Sequence, residues 1–270
     1  MITSQVSDTW ERGNPYEQYI GRWSRRVSPL FLAWLAQPAG KRWLDVGCGT
    51  GALTATILDR CAPGSVVGVE PSEGFLRMAT RNVAGEARFL AGNATALPLD
   101  AGTCDVVVSG LVLNFVPDLA SALLEMRRVT VAGGTIAAYV WDYADGMEII
   151  KCFWDAAASL DPAAAQLHEG TRFPVCEPPA LRAAFEDAGL TEVETTSLDV
   201  MAVFTDFDDY WLPFLGGQGP APAYVMSLPD EQRTALRDKL NSTLPAAEKG
   251  GTIVLRARAW AVRGTSRSGA

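Results

Sequence analysis

The stretch RWLDVGCGTG, residues 42–51, decides the fold. Trp43, Leu44 and Val46 favour extended backbone and run straight into Gly47, Gly49 and Gly51, and residues 51–60 carry apolar side chains at helical spacing. A strand entering a glycine turn and then a helix sets backbone N–H groups and a positive helix end beside a ligand. Two familiar versions of this loop do not fit. A P-loop needs Lys-Ser or Lys-Thr after its last glycine, and here Ala52 and Leu53 follow Gly51. The dinucleotide fingerprint needs G-x-G-x-x-G, and here the third glycine falls one position early.

Outward from the loop, the first half alternates strands and helices. Strands are expected at residues 43–46, 66–69, 87–90, 105–108 and 135–141. Helices are expected from Ser72, as cap, to about Asn82 and over residues 119–129, the latter closed by a turn at Ala132, Gly133 and Gly134. That order predicts an α/β fold with a mostly parallel sheet and right-handed crossovers. In the second half, residues 179–188 read as a helix and residues 192–200 and 252–262 as strands of alternating pattern. Two aromatic segments, 142–178 and 204–250, fall outside the sheet and are expected to form a cap over its carboxyl edge, within one domain of residues 1–270. A tail at residues 264–270 is expected to be disordered.

Composition narrows the function. The 270 residues are 48% hydrophobic, enough for a substantial core, and the net charge is −8. An acidic chain with no basic block is a poor match for nucleic acid or polyphosphate and suits a small neutral or cationic organic molecule. No apolar run reaches membrane-spanning length and no signal-peptide pattern opens the chain, so no membrane association and a cytoplasmic location are expected. Five scattered cysteines with no C-x-x-C pair favour reduced thiols, and no metal is expected; Cys48 has no candidate ligand nearby in sequence.

Acidic and amide residues follow the strands in order. Asp45 precedes the glycine loop, Glu70 ends the second strand and Asn93-Ala94 follows the third. A carboxylate at the end of the second strand suits both hydroxyls of a ribose, and a nucleoside ligand without phosphates needs no basic residues. S-adenosylmethionine meets that description. The blocks LDVGCGTG, VVGVEPSEGFL, AGNATALPL, DVVVSGLVLNFVPD and RRVTVAGGT resemble class I S-adenosylmethionine-dependent methyltransferases of the type 11 group, which are similar to ubiquinone and menaquinone C-methyltransferases. The resemblance covers about half the chain.

The resemblance implies a Rossmann-like sheet of seven strands, the last inserted antiparallel, with helices on both faces. It implies that Gly47, Cys48, Gly49 and Gly51 line the methionine part of the cofactor and that Asp45 sits near its amino group. Glu70 would grip the ribose, with Pro71, Ser72 and Phe75 around it. Asn93 and Ala94 would meet the adenine edge, and Ser109, Gly110 and Leu111 would border the sulfonium. The family commonly has Asp where this chain has Asn93; an amide carbonyl still accepts from the adenine amino group. YEQYIGRW, residues 16–23, resembles the family's first helix, here residues 15–36, which would cover the cofactor site. Tyr16, Tyr19 and Trp23 share one face of it; Tyr19 and Arg22 would bind the cofactor, Arg22 by pairing with its carboxylate, or else the stripe is core and Arg22 a surface residue.

The acceptor side leaves alternatives open. Asn114 stands where the family places substrate-facing residues, or bonds to nearby backbone. Asp142, with Trp141 and Tyr143 at the end of the fifth strand, is a base or a helix cap. His168, the only histidine, is catalytic or solvated. The leading expectation is methyl transfer to a small molecule at oxygen, nitrogen or carbon. The alternatives are a protein of this fold that binds the cofactor without methyl transfer, or that runs another reaction, and an NAD-dependent oxidoreductase, which lacks the glycine spacing and a Tyr-x-x-x-Lys relay.

Overall fold

The computed structural model describes residues 17–83, 85, 87–217, 219–245 and 251–267. Tyr16 of the expected stripe and residues 268–270 of the expected tail lie outside them. Seven strands form one sheet: β1 Arg42–Val46, β2 Ser65–Glu70, β3 Arg88–Ala91, β4 Cys104–Gly110, β5 Thr130–Trp141, β6 Thr191–Phe204 and β7 Ile253–Thr265. The order is β3-β2-β1-β4-β5-β7-β6, with β1 parallel to β2 and β4, β2 parallel to β3, β4 parallel to β5, and β7 antiparallel to β5. The sheet is the seven-stranded Rossmann-like form with the last strand inserted.

The chain divides into two compact units. One comprises Ser24–Trp141, Val175–Leu198 and Ala259–Ala270; the other comprises Met1–Trp23, Asp142–Pro174 and Asp199–Arg258. The first holds β1 to β5 with the crossover helices Ala52–Cys61, Glu73–Val83 and Leu119–Val129. Leu44, Val46, Val106, Val107 and Val108 lie at 0% exposure, because both faces of these parallel strands are covered by helices. The connection from β1 runs outward to β2 and β3, then crosses back to β4 on the other side of β1. This reversal opens the crevice at the carboxyl ends of β1 and β4, where ligands of such sheets bind.

The second unit contains helices Glu148–Leu160, Glu169–Arg172, Phe207–Trp211, Pro220–Ser227 and Asp230–Thr243, and into it fall most of the two aromatic segments that the sequence sets apart from the sheet. Its core is aromatic. Phe153 stacks on Phe214 at 4.7 Å, Tyr19 meets Phe214 edge-on at 5.1 Å, and Trp154 lies 5.4 Å from Tyr224.

Three boundaries differ from expectation. β5 starts at Thr130 rather than residue 135, because Gly133, at φ +74°, supports a local irregularity instead of a reversing turn. The disordered tail is corrected at its start. β7 continues through Thr265, and Ser266 is buried, exchanging backbone hydrogen bonds with Gly133 and Gly134 at 2.8 and 2.9 Å. The N-terminal helix begins as a π-helical turn, Glu17–Gly21, before the α-helix Arg22–Leu35.

Candidate active site

The glycine loop is built by hydrogen bonds from the strand beside it. The N–H groups of Gly47 and Cys48 both donate to the Val69 carbonyl, at 2.8 and 3.1 Å, and Gly51 N–H turns back to the Cys48 carbonyl at 2.8 Å. Gly47, Gly49 and Gly51 all have positive φ, of +73°, +54° and +85°, a region that costs other residues strain. Their surroundings differ. A Cβ on Gly47 would strike the Val112 side chain at 2.6 Å, and one on Gly51 would press the helix Glu73–Val83 at Val83 and Ala79. A Cβ on Gly49 would meet no atom within 4 Å. Gly49 is therefore the point where a ligand can lie directly against the backbone.

Glu70 organises the next layer. One carboxylate oxygen accepts from Gly49 N–H at 3.1 Å and the other from Ser72 N–H at 2.9 Å. Each oxygen keeps lone-pair capacity for a ligand hydroxyl. Burial raises its pKa, and the two N–H donors oppose the rise. Ser72 then accepts from Phe75 N–H at 3.3 Å and so caps the helix that carries Phe75 against the site. Pro71 is exposed beside it.

Asp45 is 1% exposed and is held by the Thr54 hydroxyl at 2.7 Å. Burial pushes its pKa up to about 7, against the Thr54 hydrogen bond and with a further push from Glu70. A cationic amine next to it would restore the ionised form. Cys48 is buried, and burial with the two nearby carboxylates raises its thiol pKa far above the usual range, so it contributes backbone and volume rather than a thiolate.

On the β4 side, the buried Ser109 hydroxyl donates to the Val46 carbonyl at 2.9 Å and ties the two strand ends together. Gly110 has no room for a side chain, since a Cβ would meet the Tyr139 hydroxyl at 2.6 Å. Leu111 sits at φ +61°, held by its N–H donating to the Tyr139 carbonyl at 2.8 Å. A strained non-glycine residue at this edge is a feature that sequence reading did not foresee. Asn114 is 8% exposed and its Nδ2 has no hydrogen-bond partner among the described residues, so it does not use that group on nearby backbone. Asn93 is exposed, and its carbonyl already accepts from the Thr95 N–H and hydroxyl at 3.1 and 3.3 Å; Ala94 follows in that turn.

A scan against protein-family models matches a methyltransferase domain over residues 44–138. A malonyl-[acyl-carrier protein] O-methyltransferase from Geobacter sulfurreducens is 31% identical over 209 residues, covering 75% of this chain and 76% of that protein. The chain belongs to the S-adenosylmethionine-dependent methyltransferases. A demethylmenaquinone methyltransferase from Roseiflexus castenholzii is 38% identical over 113 residues, 42% of this chain and 47% of that enzyme, so the chain spans about half the length of such relatives. Among solved structures, a methyltransferase bound to the Trm112 activator of Haloferax volcanii has a TM-score of 0.60 at 20% identity, covering 99% of this chain and all of that one. Family membership displaces the nicotinamide alternative and makes S-adenosylmethionine the cofactor. The residues present fit it: the open side of Gly49, the Glu70 carboxylate and the buried Asp45 suit a ribose diol and a cationic amino acid end.

The remaining candidates lie in the unit of Met1–Trp23, Asp142–Pro174 and Asp199–Arg258. Arg22 is already committed. Its guanidinium donates to the Asp209 carboxylate at 2.7 Å and to its backbone carbonyl at 3.1 Å, between the rings of Trp23 and Phe204 at 4.6 and 4.8 Å. The structure thus gives it a partner other than a cofactor carboxylate. Tyr19 is 3% exposed. Asp142 does not cap the helix Glu148–Leu160; it closes a turn, accepting from Asp145 N–H at 3.2 Å while its carbonyl accepts from Met147 N–H at 2.7 Å. Tyr143 is buried 6.1 Å from Phe173. His168 accepts from Gly170 N–H at 2.9 Å through Nδ1 and caps a short helix, and burial lowers its pKa, which keeps the ring neutral. Sequence reading passed over its neighbour Glu169, a carboxylate only 2% exposed that accepts from the Trp154 indole N–H.

No helix among the described residues is long and apolar enough to cross a membrane. No cluster of three metal-ligating side chains occurs among them either.

Proposed function

We propose that the protein transfers a methyl group from S-adenosylmethionine to an oxygen, nitrogen or carbon atom of a small organic molecule. The observation that carries the reading is Glu70, at the end of β2, pinning Gly49 N–H and Ser72 N–H while keeping lone pairs for a ribose diol. When bound, the cofactor supplies a sulfonium methyl already activated for transfer. The chain's residues bind and orient. Glu70 takes the ribose, with Pro71, Ser72 and Phe75 around it. Asp45 takes the amino group, while Gly47, Cys48, Gly49 and Gly51 supply the backbone surface for the methionine part. Asn93 and Ala94 border the adenine. Ser109, Gly110 and Leu111 form the floor beside the reacting methyl, and the Asn114 amide donates to the acceptor or to the cofactor's carboxylate. Holding an acceptor in line and excluding water supplies much of the acceleration in such a transfer, and a general base is needed only where the accepting atom loses a proton during attack.

Calorimetric titration with S-adenosylmethionine, S-adenosylhomocysteine and NAD tests the reading. Wild type should bind the first two and not NAD, and Glu70→Ala should weaken both at least about tenfold, a loss of roughly 1.4 kcal/mol. Indifference to Glu70 would reject the assignment. Appearance of S-adenosylhomocysteine during incubation with candidate acceptors separates transfer from binding alone.

A further inference from the structure

We propose that Asn93 presents a hydrogen-bond donor, not an acceptor, to the base edge of the bound nucleoside, so that the site does not select adenine by its 6-amino group and takes a 6-oxo purine about equally well. The proposal rests on the cofactor reading above and names the specificity of that same site. Ala91 on β3 is in register with Glu70 on β2, and the Gly92 N–H donates to the Glu70 carbonyl at 3.3 Å. The loop that opens with Asn93 therefore starts beside the carboxylate assigned to the ribose, where the attached base must lie.

Chemistry fixes which way the Asn93 amide faces. Its side-chain carbonyl accepts from the Thr95 N–H at 3.1 Å and from the Thr95 hydroxyl at 3.3 Å. A backbone N–H can only donate, so the atom facing it is the oxygen, and the two bonds take up both of its lone pairs. The Nδ2 group makes no hydrogen bond among the described residues and the side chain is exposed, so its N–H donors are what it offers a ligand. The surrounding loop is pinned. Ala96 N–H donates to the Asn93 backbone carbonyl at 3.0 Å, Leu97 N–H to the Glu125 carboxylate at 2.8 Å, and Arg128 to the Leu97 and Leu99 carbonyls at 3.1 and 2.9 Å. Turning the amide over would set Nδ2 against the Thr95 N–H, donor against donor. Adenine carries an amino donor at position 6, which gains nothing from a second donor. A 6-oxo purine carries an acceptor there.

The test is calorimetric titration of the full chain, wild type and Asn93→Asp, with S-adenosylhomocysteine and with its 6-oxo analogue S-inosylhomocysteine. The aspartate keeps one oxygen for the Thr95 N–H and turns a second, accepting oxygen to the base. Wild type should bind the 6-oxo analogue no more than about threefold more weakly than S-adenosylhomocysteine. Asn93→Asp should prefer S-adenosylhomocysteine at least about tenfold, because a carboxylate accepts from the amino group and repels the 6-oxo oxygen. A wild-type preference for S-adenosylhomocysteine above about threefold, or a preference in Asn93→Asp no greater than in wild type, overturns the proposal. Failure of wild type to bind either ligand would instead overturn the cofactor reading, so the two failures are distinct.

Discussion

The two units bury their carboxylates in different company. In the sheet unit, Asp45 is held by a hydroxyl and Glu70 by two backbone N–H groups, so each carboxylate has a directed polar partner. In the other unit Glu169 leans on an indole N–H within a shell of rings. The first arrangement is built from aimed hydrogen bonds, and it is written in a few contiguous motifs. The second is a packed aromatic core, assembled from separate segments around residues 19, 143, 153, 169, 210 and 214.

The largest effect should come from the aromatic side of that contrast. Phe153 is fully buried, stacked on Phe214 and edge-on to Trp154. Phe153→Ala should cost about 3–5 kcal/mol of stability, the usual figure for emptying a buried phenylalanine site. Urea denaturation followed by tryptophan fluorescence measures it. A loss under about 1 kcal/mol would mean that the rings are loosely packed, and the comparison between a polar cradle and an aromatic core would fail.

The polar side makes the next prediction, through pH. The Asp45 pKa of about 7 in the fold lies above its ordinary value of 3.8, so between those values the native state holds a proton that the unfolded chain has released. Stability from this group is therefore fully present below pH 4 and is lost as pH rises to about 7. Glu70 shifts in the same direction, while Asp105, Asp118 and Glu125 are lowered and act oppositely, so only a difference isolates Asp45. The stability of Asp45→Asn relative to wild type should rise by on the order of 3 kcal/mol between pH 4 and 8. Cofactor affinity should move the other way: the variant binds S-adenosylmethionine more weakly, and wild type loses affinity as pH falls below 7. A flat stability difference across that range would show that Asp45 is ionised in the ligand-free fold.

A paired substitution sharpens the cradle itself. Gly47→Ala adds a methyl 2.6 Å from Val112 at a residue with φ +73°, which should cost about 2–3 kcal/mol. Gly49→Ala meets nothing within 4 Å and should cost only about 1 kcal/mol of backbone strain, yet weaken S-adenosylhomocysteine binding tenfold or more by standing where the ligand lies. Thermal denaturation and calorimetry on both variants separate packing from ligand contact. Equal stability losses with equal binding would place the ligand elsewhere.

Legibility in sequence follows the same divide. β1, β2 and β4 are short apolar runs ended by glycine or acidic residues, and strand-glycine-helix order places Asp45, Gly49 and Glu70 with no tertiary knowledge. The start of β5 was obscured because Gly133 and Gly134 signal a turn locally but sit in a bulged strand once β4 and β7 are present. Glu169 was invisible for a stronger reason. LHEGTRF reads as a polar loop, whereas in the fold its glutamate is buried and accepts from the Trp154 indole. The sequence drew attention to His168 as the titratable residue, whereas the fold buries the carboxylate next to it.

Arg22 gives the smallest effect and the most direct check on what resemblance alone assigned. Its guanidinium makes two hydrogen bonds to Asp209 and lies between two rings, a planar fit that an ammonium cannot reproduce. The pair is about one-third exposed, so solvent screens it and its worth is modest. Arg22→Lys should cost about 1 kcal/mol of stability and change S-adenosylhomocysteine affinity less than about threefold. Asp209→Asn should match it in stability if the two act as a pair. A tenfold loss of cofactor affinity in Arg22→Lys, with none in Asp209→Asn, would return Arg22 to the cofactor carboxylate, because only a residue that leaves Asp209 on binding can show that asymmetry.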